Sequence, residues 1–292
     1  MSQLSGEIPD LYHALRTSGQ GPEMLEPLIA EADPAIARRA LSVDQSLLRA
    51  VMRMGLGQPP ISAAEKVLQF LRGAWPSPLF QPALSESRVM ALPTGGQIAD
   101  MPAFSDRRFD AWFAAQACDY GIGLYTEKRN VYASAHFADA ASPERRTIHL
   151  GLDVFAPAGT AVFAPLAGRV ESVSYNSDPL DYGHTLILEH QTPEGVPFFT
   201  LYGHLGASLP GLLTKGDAVS PGQLIAHLGD WEENGGWAPH LHFQIITDLL
   251  DQRGTGNFFG VGHESLWEVW QAVSLDPNLL LRLPPMKGMP EV

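Results

Sequence analysis

The chain has 292 residues, of which 45% are apolar and 17% are charged, a composition typical of folded globular proteins and not of disordered ones. Its formal net charge of −13 argues against a nucleic-acid partner, because such a protein carries a basic surface that attracts phosphate. The single cysteine, Cys118, excludes an intrachain disulfide and gives no reason to expect an oxidising compartment. At this length we expect two domains of unequal size.

The N-terminal sequence lacks the basic and apolar regions of a secretory signal. No stretch approaches the roughly 18 consecutive apolar residues that would cross a bilayer. We therefore expect no membrane span and a cytoplasmic location, with export by another route left open.

Residues 1–75 are predicted to form a small α-helical domain of three or four short helices. Asp33 before Pro34 is a typical helix start, and Ser62 and Glu65 are spaced as a capping box. The region contains no motif that assigns a function. Its amphipathic helices fit oligomerisation, regulation of a groove and a partner surface equally well.

The next segments connect this region to a second domain. Residues 76–104 are predicted to be a linker, since their prolines interrupt any helix. Residues 105–130 are predicted to contain one further helix, closed by Gly121, that packs on the domain after it. Residues 284–292 are predicted to be a tail.

Residues 131–283 show a different pattern, with short β-branched and aromatic runs broken by Gly, Pro, Asp and Asn. An antiparallel β-sheet or sandwich is the simplest architecture for it. The predicted fold class of the whole chain is therefore α+β. Residues 159–168 also resemble residues 216–222 in the placing of glycine and valine, which indicates two similar β units.

His149 and Asp153 are the first candidate pair for chemistry, and a strand would place both on one face. Four residues of straight strand span ~13 Å, whereas donor atoms on one tetrahedral zinc ion lie about 3 to 3.5 Å apart. Gly151 lies between the two and allows the backbone to bend. The glycine is therefore predicted to belong to the site.

Three further histidines complete the candidate set. His240 and His242 alternate with apolar residues and so share one face of a strand, and His204 ends an aromatic strand. Each pattern alone is equally consistent with solvent-facing or structural histidines. Only the combination indicates three metal ligands with nearby bases, which is what a hydrolytic zinc site requires.

Five sequence blocks occur in order between residues 131 and 250, namely HLGLD, APAGTAVFAPLAGRV, LYGHL, KGDAVSPGQLIAHLG and PHLHFQI. Together they resemble the lysostaphin and LytM-like zinc metallopeptidases. The resemblance implies a β-rich fold of the duplicated hybrid motif type. It also implies cleavage of peptide bonds in bacterial wall cross-links.

Carried over to this sequence, the resemblance implies that one zinc ion is held by His149, Asp153 and His242. His204 and His240 would be the catalytic pair, one handling the proton of the attacking water and the other serving the oxyanion or leaving amine. The roles of the two are not distinguished by sequence. The predicted function is a zinc-dependent metalloendopeptidase acting on a peptide or muropeptide substrate.

The missing export signal conflicts with a wall substrate, so a small soluble peptide is favoured. A narrower resemblance concerns residues 121–155, which are similar to the peptidase-like module of fusion proteins that also carry phosphotransferase and aminotransferase domains. An accessory role in such a system is one alternative. The other is an inactive relative that binds a peptide or a partner, but such relatives usually lose ligands and here all five positions are filled.

Several other residues are given structural interpretations. A carrier domain with a modified lysine is discounted, because Lys287 lies in the proline-rich tail. Tyr202 is expected to pack in the core and residues 231–234 to form a solvated loop. The remaining histidines are expected to be structural or exposed: His13, His136, His184, His190, His227 and His263.

Overall fold

The computed structural model describes residues 10–129 and 139–286 of the chain. The α-helices are α1 (Leu11–Thr17), α2 (Leu25–Glu31), α3 (Pro34–Leu41), α4 (Gln45–Gly55), α5 (Ala64–Gly73), α6 (Arg108–Ala114), α7 (Leu209–Leu212), α8 (Trp267–Val273) and α9 (Asn278–Leu281). The strands are β1 (Val89–Ala91), β2 (Tyr120–Gly123), β3 (Ile148–His149), β4 (Leu152–Phe155), β5 (Ala161–Phe163), β6 (Gly168–Asn176), β7 (Gly183–Gln191), β8 (Pro197–Leu205), β9 (Ala218–Val219), β10 (Leu224–His227), β11 (His240–Ile246), β12 (Val261–Gly262) and β13 (Ser274–Leu275).

The fold mixes helices with one large sheet, which confirms the coarse prediction. In this main sheet the strands follow the order β1-β2-β4-β11-β8-β7-β6-β9, and β13 pairs with β11. The pairs are antiparallel except for β1 with β2. Two small ladders, β3 with β12 and β5 with β10, complete the described strands.

Both faces of the main sheet are covered. Successive side chains on a strand point to opposite faces, so Leu186 and Leu188 of β7 lie in one apolar cluster and Ile187 lies in another. The cluster around Ile187 also contains Leu48 of α4 and Trp270 of α8. Buried residues of α1 to α4 belong to this cluster, so these helices cover the face of the sheet that carries Ile187. Helix α5 lies on the other side, since Val67 and Leu71 belong to the cluster of Leu186 and Leu188.

Helix starts follow the sequence only in part. The Asp33 side chain accepts a hydrogen bond from the Ala35 amide at the start of α3, as predicted. The prediction of a capping box at Ser62 and Glu65 is wrong. Helix α5 begins after Ala63, and no side chain within the described chain caps it. Between residues 10 and 75 the chain forms five short α-helices instead of three or four.

The segment predicted as a linker, residues 76–104, packs into the fold. It contributes β1 to the main sheet, and Leu79, Phe80 and Leu84 are buried in one core with the strands. Its backbone is also tied to β5, where the Phe163 amide donates to the Leu79 carbonyl at 2.9 Å. Prolines prevent a helix but do not prevent an extended, buried segment. The division of the chain into domains stays a prediction.

The helix predicted to close at Gly121 is shorter than expected. It ends at Ala114 as α6, and residues 120–123 instead form β2 inside the main sheet. Gly121 faces Phe155 of β4, and a β-carbon there would come within 2.8 Å of the Phe113 ring. Strand pairing and close packing thus override the helical pattern at this point.

Three expectations concern residues outside the described ranges. These are the start of the second domain at residue 131, His136, and the part of the tail that includes Lys287. Among the described helices, none has the length and apolar character that a membrane crossing requires.

The packing of the predicted linker can be tested by stability. Phe80 is fully buried whereas Trp75 is 96% exposed. Phe80→Ala is expected to lower the free energy of unfolding by about 3–5 kcal/mol, because it leaves a cavity, and Trp75→Ala to change it by less than about 0.5 kcal/mol. Urea unfolding of the full chain measures both. Equal effects of the two variants would show that this segment is a linker.

Candidate metal centre and its cleft

A change of direction between two strands brings His149 and Asp153 together. His149 ends β3, which pairs with β12, whereas Asp153 lies in β4 of the main sheet. Residues 150–151 make the bend between them, as predicted from Gly151. The glycine is needed for a second reason, because a β-carbon there would collide with the His242 ring and lie 2.9 Å from the Phe243 carbonyl oxygen.

Strand β11 supplies His240 and His242 from one face. In the antiparallel register His242 lies opposite Asp153 of β4 on one side and Gly203 of β8 on the other. Leu241 and Phe243 alternate with the histidines and are buried in the core on the opposite face. The alternation seen in the sequence therefore places both imidazoles in one cleft.

The three predicted ligands converge at short distances. His149 Nε2 lies 3.1 Å from His242 Nδ1 and 3.3 Å from Asp153 Oδ1, and His242 Nδ1 lies 3.1 Å from Asp153 Oδ1. Donor atoms around one tetrahedral zinc ion have separations of about 3 to 3.5 Å. Within the described residues, His149, Asp153 and His242 form a group of metal-ligating side chains whose donor atoms are close enough together to hold one metal ion.

The outer nitrogen of each ligand imidazole has an acceptor of its own. His149 Nδ1 lies 2.8 Å from the Leu124 carbonyl oxygen, and His242 Nε2 lies 3.2 Å from Gln244 Oε1. A proton on each outer nitrogen satisfies these contacts and leaves the inner nitrogen as a lone-pair donor. The hydrogen bonds therefore fit the tautomers that metal binding requires.

Arg129 is the main site residue that sequence reasoning missed. Its Nη1 donates to Asp153 Oδ2 at 2.7 Å, its Nε donates to Glu127 at 3.0 Å, and it is only 3% exposed. The contact occupies one carboxylate oxygen and leaves Oδ1 facing the two histidines. Arg129 lies 24 residues before Asp153, and no spacing rule joins residues so far apart.

The charge state of Asp153 follows from these neighbours. Burial alone would raise its pKa, but the Arg129 guanidinium that donates to Oδ2 holds the pKa well below its usual value. Burial and repulsion by Arg129 lower the pKa of His149 to about 4, so His149 is neutral at neutral pH. Arg129 therefore supplies the lasting positive charge that keeps Asp153 ionised.

His204 and His240 lie side by side next to the ligands, with ring centroids 4.2 Å apart. His204 Nδ1 donates to the Asn234 carbonyl and His240 Nδ1 to the Ala238 carbonyl, each at 2.7 Å. Carbonyl oxygens only accept, so both rings carry their proton on Nδ1 and leave Nε2 as a lone pair. His240 Nε2 lies 3.9 Å from Asp153 Oδ1.

Burial keeps this pair of histidines neutral. It lowers the pKa of His240 to about 4 and the pKa of His204 well below its usual value. His204 also has a positive φ of 62°, a conformation uncommon for residues other than glycine. Its amide donates to the Tyr182 carbonyl at 2.7 Å, which holds the strained residue in place.

The loop expected to be solvated is instead part of the site. Trp231 and Asn234 are buried, and the Asn234 carbonyl accepts the hydrogen bond from His204. The Asn234 side chain binds the loop to itself, with Oδ1 accepting from the Trp237 amide at 3.0 Å. The Asn234 side chain is therefore satisfied inside the protein, whereas Glu232 is exposed. The expected solvated loop is thus exposed only in part.

The remaining histidines that the structure describes lie apart from the metal-binding group. His190 is buried and its ring nitrogens contact the Ala167 carbonyl and the Thr200 hydroxyl, each at 2.8 Å. His263 is buried against Asp139 at 3.2 Å. His13 is exposed. Tyr202 is buried in the core, as expected.

A cavity of about 400 Å³ opens over the centre. Its floor includes Asp153, His204, His240 and His242, and its walls include the aromatic residues Phe104, Tyr182, Trp237 and Phe259. Two arginines, Arg129 and Arg146, also line it. The candidate ligands Asp153 and His242 are therefore reached through a cavity lined by both aromatic and polar side chains.

The buried neutral histidines predict acid sensitivity in the metal-free protein. His149 and His240 have a pKa of about 4 when folded and about 6.5 when unfolded. The unfolded chain therefore binds more protons between these values, and stability falls as pH drops from about 6.5 towards 4. Each group contributes up to about 1.4 kcal/mol per pH unit.

Urea unfolding with a chelator at several pH values measures this loss. His240→Gln should reduce the dependence of the free energy of unfolding on pH relative to the unmodified chain. Other buried histidines, such as His190, contribute equally in the two proteins and do not affect the difference. An unchanged slope in His240→Gln would show that His240 is protonated in the folded state.

Gly151→Ala is expected to weaken divalent-metal binding by roughly 10- to 100-fold, as losses of ligand positioning do. The added methyl group would displace the His242 ring. Gly211→Ala is a matched control, since a β-carbon there meets no atom within 4 Å. Zinc affinity by competition with a chromogenic chelator measures both. Wild-type affinity in Gly151→Ala would mean that the ring has room to move.

Comparisons with known proteins support the motif-based expectation. The family model for peptidase family M23 matches residues 147–254, a range that contains all five candidate residues. The chain is 32% identical over 132 residues to an uncharacterized metalloprotease of Haemophilus influenzae, covering 43% of this chain and 25% of that protein. It is 33% identical over 100 residues to the peptidoglycan DD-endopeptidase ShyC of Vibrio cholerae, covering 34% and 20%.

Among solved structures, a zinc-containing peptidase from Vibrio cholerae is 28% identical, with a TM-score of 0.31 and coverage of 42% of this chain and 31% of that one. The two curated relatives are matched over a quarter or less of their own length. The sequence motifs and the family model cover the same segment of the chain. Residues 147–254 of this protein are a peptidase family M23 domain, of the lysostaphin and LytM-like kind.

Proposed function

We propose that this protein is a zinc-dependent metalloendopeptidase that binds one zinc ion through His149, Asp153 and His242. The observation that carries the proposal is the mutual separation of their three donor atoms, 3.1, 3.1 and 3.3 Å, which matches tetrahedral zinc coordination. Nitrogen and carboxylate donors in a three-ligand set are also the donors of hydrolytic zinc sites. The duplicated hybrid motif fold is part of the same proposal.

Zinc, when bound, would supply Lewis acidity toward water and toward a peptide carbonyl. His204 and His240 then handle the proton. Both present an unprotonated Nε2, since Nδ1 of each is bound to a backbone carbonyl, and both are neutral at pH 7 because burial lowers their pKa. One accepts the proton of the attacking water, and the other serves the carbonyl oxygen or the leaving amine once protonated.

The proposed substrates are peptidoglycan-type or small soluble peptides. A relative from Vibrio cholerae is named a peptidoglycan DD-endopeptidase, which supports the first class. The cavity between Phe104, Trp237 and Phe259 suits a narrow extended chain with small side chains.

The purified protein should be screened against glycyl and D-alanyl peptides, muropeptides and unrelated peptides, each with and without a chelator. Elemental analysis should find about one zinc ion per chain. Chelator-sensitive cleavage of any of these supports the proposal. Zinc binding without cleavage would identify a peptide-binding relative, and failure to bind any divalent metal would contradict the zinc site itself.

His242→Ala is expected to abolish both zinc binding and cleavage, because it removes one of three protein ligands. His204→Ala is expected to retain zinc while turnover falls by roughly 100-fold or more, the contribution typical of a general acid or base. His227→Ala, outside the cleft, serves as the control. Zinc content and kcat measured together separate the roles. Loss of zinc from His204→Ala would refute the role proposed for His204.

A further inference from the structure

We propose that Arg146 binds a carboxylate of the substrate, so that the preferred peptides carry a free carboxylate close to the bond that is cut. The inference deepens the proposed peptidase function and rests on it for its catalytic part. The arginine lines the same cavity as His240 and His242. It is not among the candidate ligands or the catalytic pair.

The backbone around Arg146 holds the side chain against one wall of the cavity. The next residue, Thr147, donates its amide to the Gly262 carbonyl at 2.9 Å, and Ile148 pairs with Gly262 in the ladder of β3 with β12. The Arg146 guanidinium lies 5.2 Å from the centroid of the Phe259 ring. Cation–π contact with an aromatic face limits the motion of a guanidinium while its N–H edges stay available.

Arg146 lacks a protein counter-ion in the part of the chain that the structure describes. Its Nε is buried and has no hydrogen-bond partner among the residues that the structure describes. The carboxylate whose charge acts most strongly on it, Asp139, is already engaged by the Tyr12 hydroxyl at 2.8 Å, the Ala141 amide at 2.7 Å and His263 at 3.2 Å.

A cation in this position is unfavourable without an anion. Burial lowers the pKa of Arg146, yet a guanidinium remains protonated in proteins, so the charge persists at neutral pH. Poorly solvated charges and buried N–H groups without partners destabilise a fold. A ligand carboxylate would satisfy both the charge and the free N–H edge in one bidentate contact.

The other charged groups of the cavity do not offer the same contact. Arg129 is committed to Asp153 and Glu127. Asp178 is exposed, and Asp181 accepts hydrogen bonds from the Tyr182 amide and the Asn257 side chain. The negative charges of Asp178 and Asp181 disfavour an anion beside them, which leaves Arg146 as the position for a carboxylate.

Two parts of a peptide present this chemistry, the C-terminal α-carboxylate and an acidic side chain, and two peptide pairs distinguish them. The first pair is acetyl-tetraglycine and its C-terminal amide. The second pair is the amidated peptide acetyl-Gly-Gly-Glu-Gly-Gly and its Gln counterpart. Calorimetry with the zinc-loaded full chain gives Kd for each peptide, and kcat and KM are measured for each peptide that is cut.

The acid member of at least one pair is expected to bind roughly 10- to 100-fold more tightly than its amide, as a charge-assisted hydrogen bond would produce. Arg146→Gln should remove this preference while the zinc content stays at the wild-type level. Arg146→Lys should retain part of it, since the charge remains but the bidentate geometry is lost. Arg145→Gln is the matched control, because Arg145 is the exposed neighbour.

The proposal is wrong if the wild-type chain distinguishes neither pair, or if Arg146→Gln keeps the preference that Arg145→Gln keeps. Thermal unfolding of each variant shows whether it is folded. A different result would contradict the proposed peptidase function, namely that the wild-type chain cuts no peptide. The Kd values decide the role of Arg146 in either case.

Discussion

The carboxylate of Asp153 is the interaction on which the rest of this site depends. Oδ1 lies 3.1 Å from His242 and 3.3 Å from His149, and Oδ2 accepts from Arg129 at 2.7 Å. Because the two oxygens have separate partners, the carboxylate has a single orientation. It joins β3, β4 and β11 at one point, and the convergence of the three donor atoms follows from that arrangement.

Burial at this point has opposite effects on the two kinds of side chain. It holds His149, His204 and His240 neutral, since nothing nearby compensates fully for a desolvated imidazolium. It leaves Asp153 ionised, because Arg129 supplies a permanent positive charge. Neutral imidazoles beside one carboxylate are the protonation states that a divalent cation needs in its ligands. The hydrogen bonds of His149 to the Leu124 carbonyl and of His242 to Gln244 also favour the tautomers that metal binding requires.

The two arginines of the cavity differ in what surrounds them. Arg129 neutralises acidic groups of the protein itself and therefore positions a candidate ligand. Arg146 packs on the Phe259 ring, and its buried Nε has no partner within residues 10–129 and 139–286. Arg129 thus orients the Asp153 carboxylate of the candidate metal centre. Arg146 instead places an unpaired positive charge in the cavity in which we propose that a peptide binds.

The sequence by itself determined the local features of this protein. The alternation around His240 and His242 specified two imidazoles on one strand face, and Gly151 specified a bend, because side-chain direction and backbone freedom depend on neighbouring residues only. Tertiary structure alone decided the contact of Arg129 with Asp153, the burial of Asn234 and the entry of β1 and β2 into the main sheet. These features join residues that are far apart in the chain, and no local periodicity encodes such pairings. The distances between the ligand donor atoms are also decided by tertiary structure alone, because they depend on how β3, β4 and β11 meet.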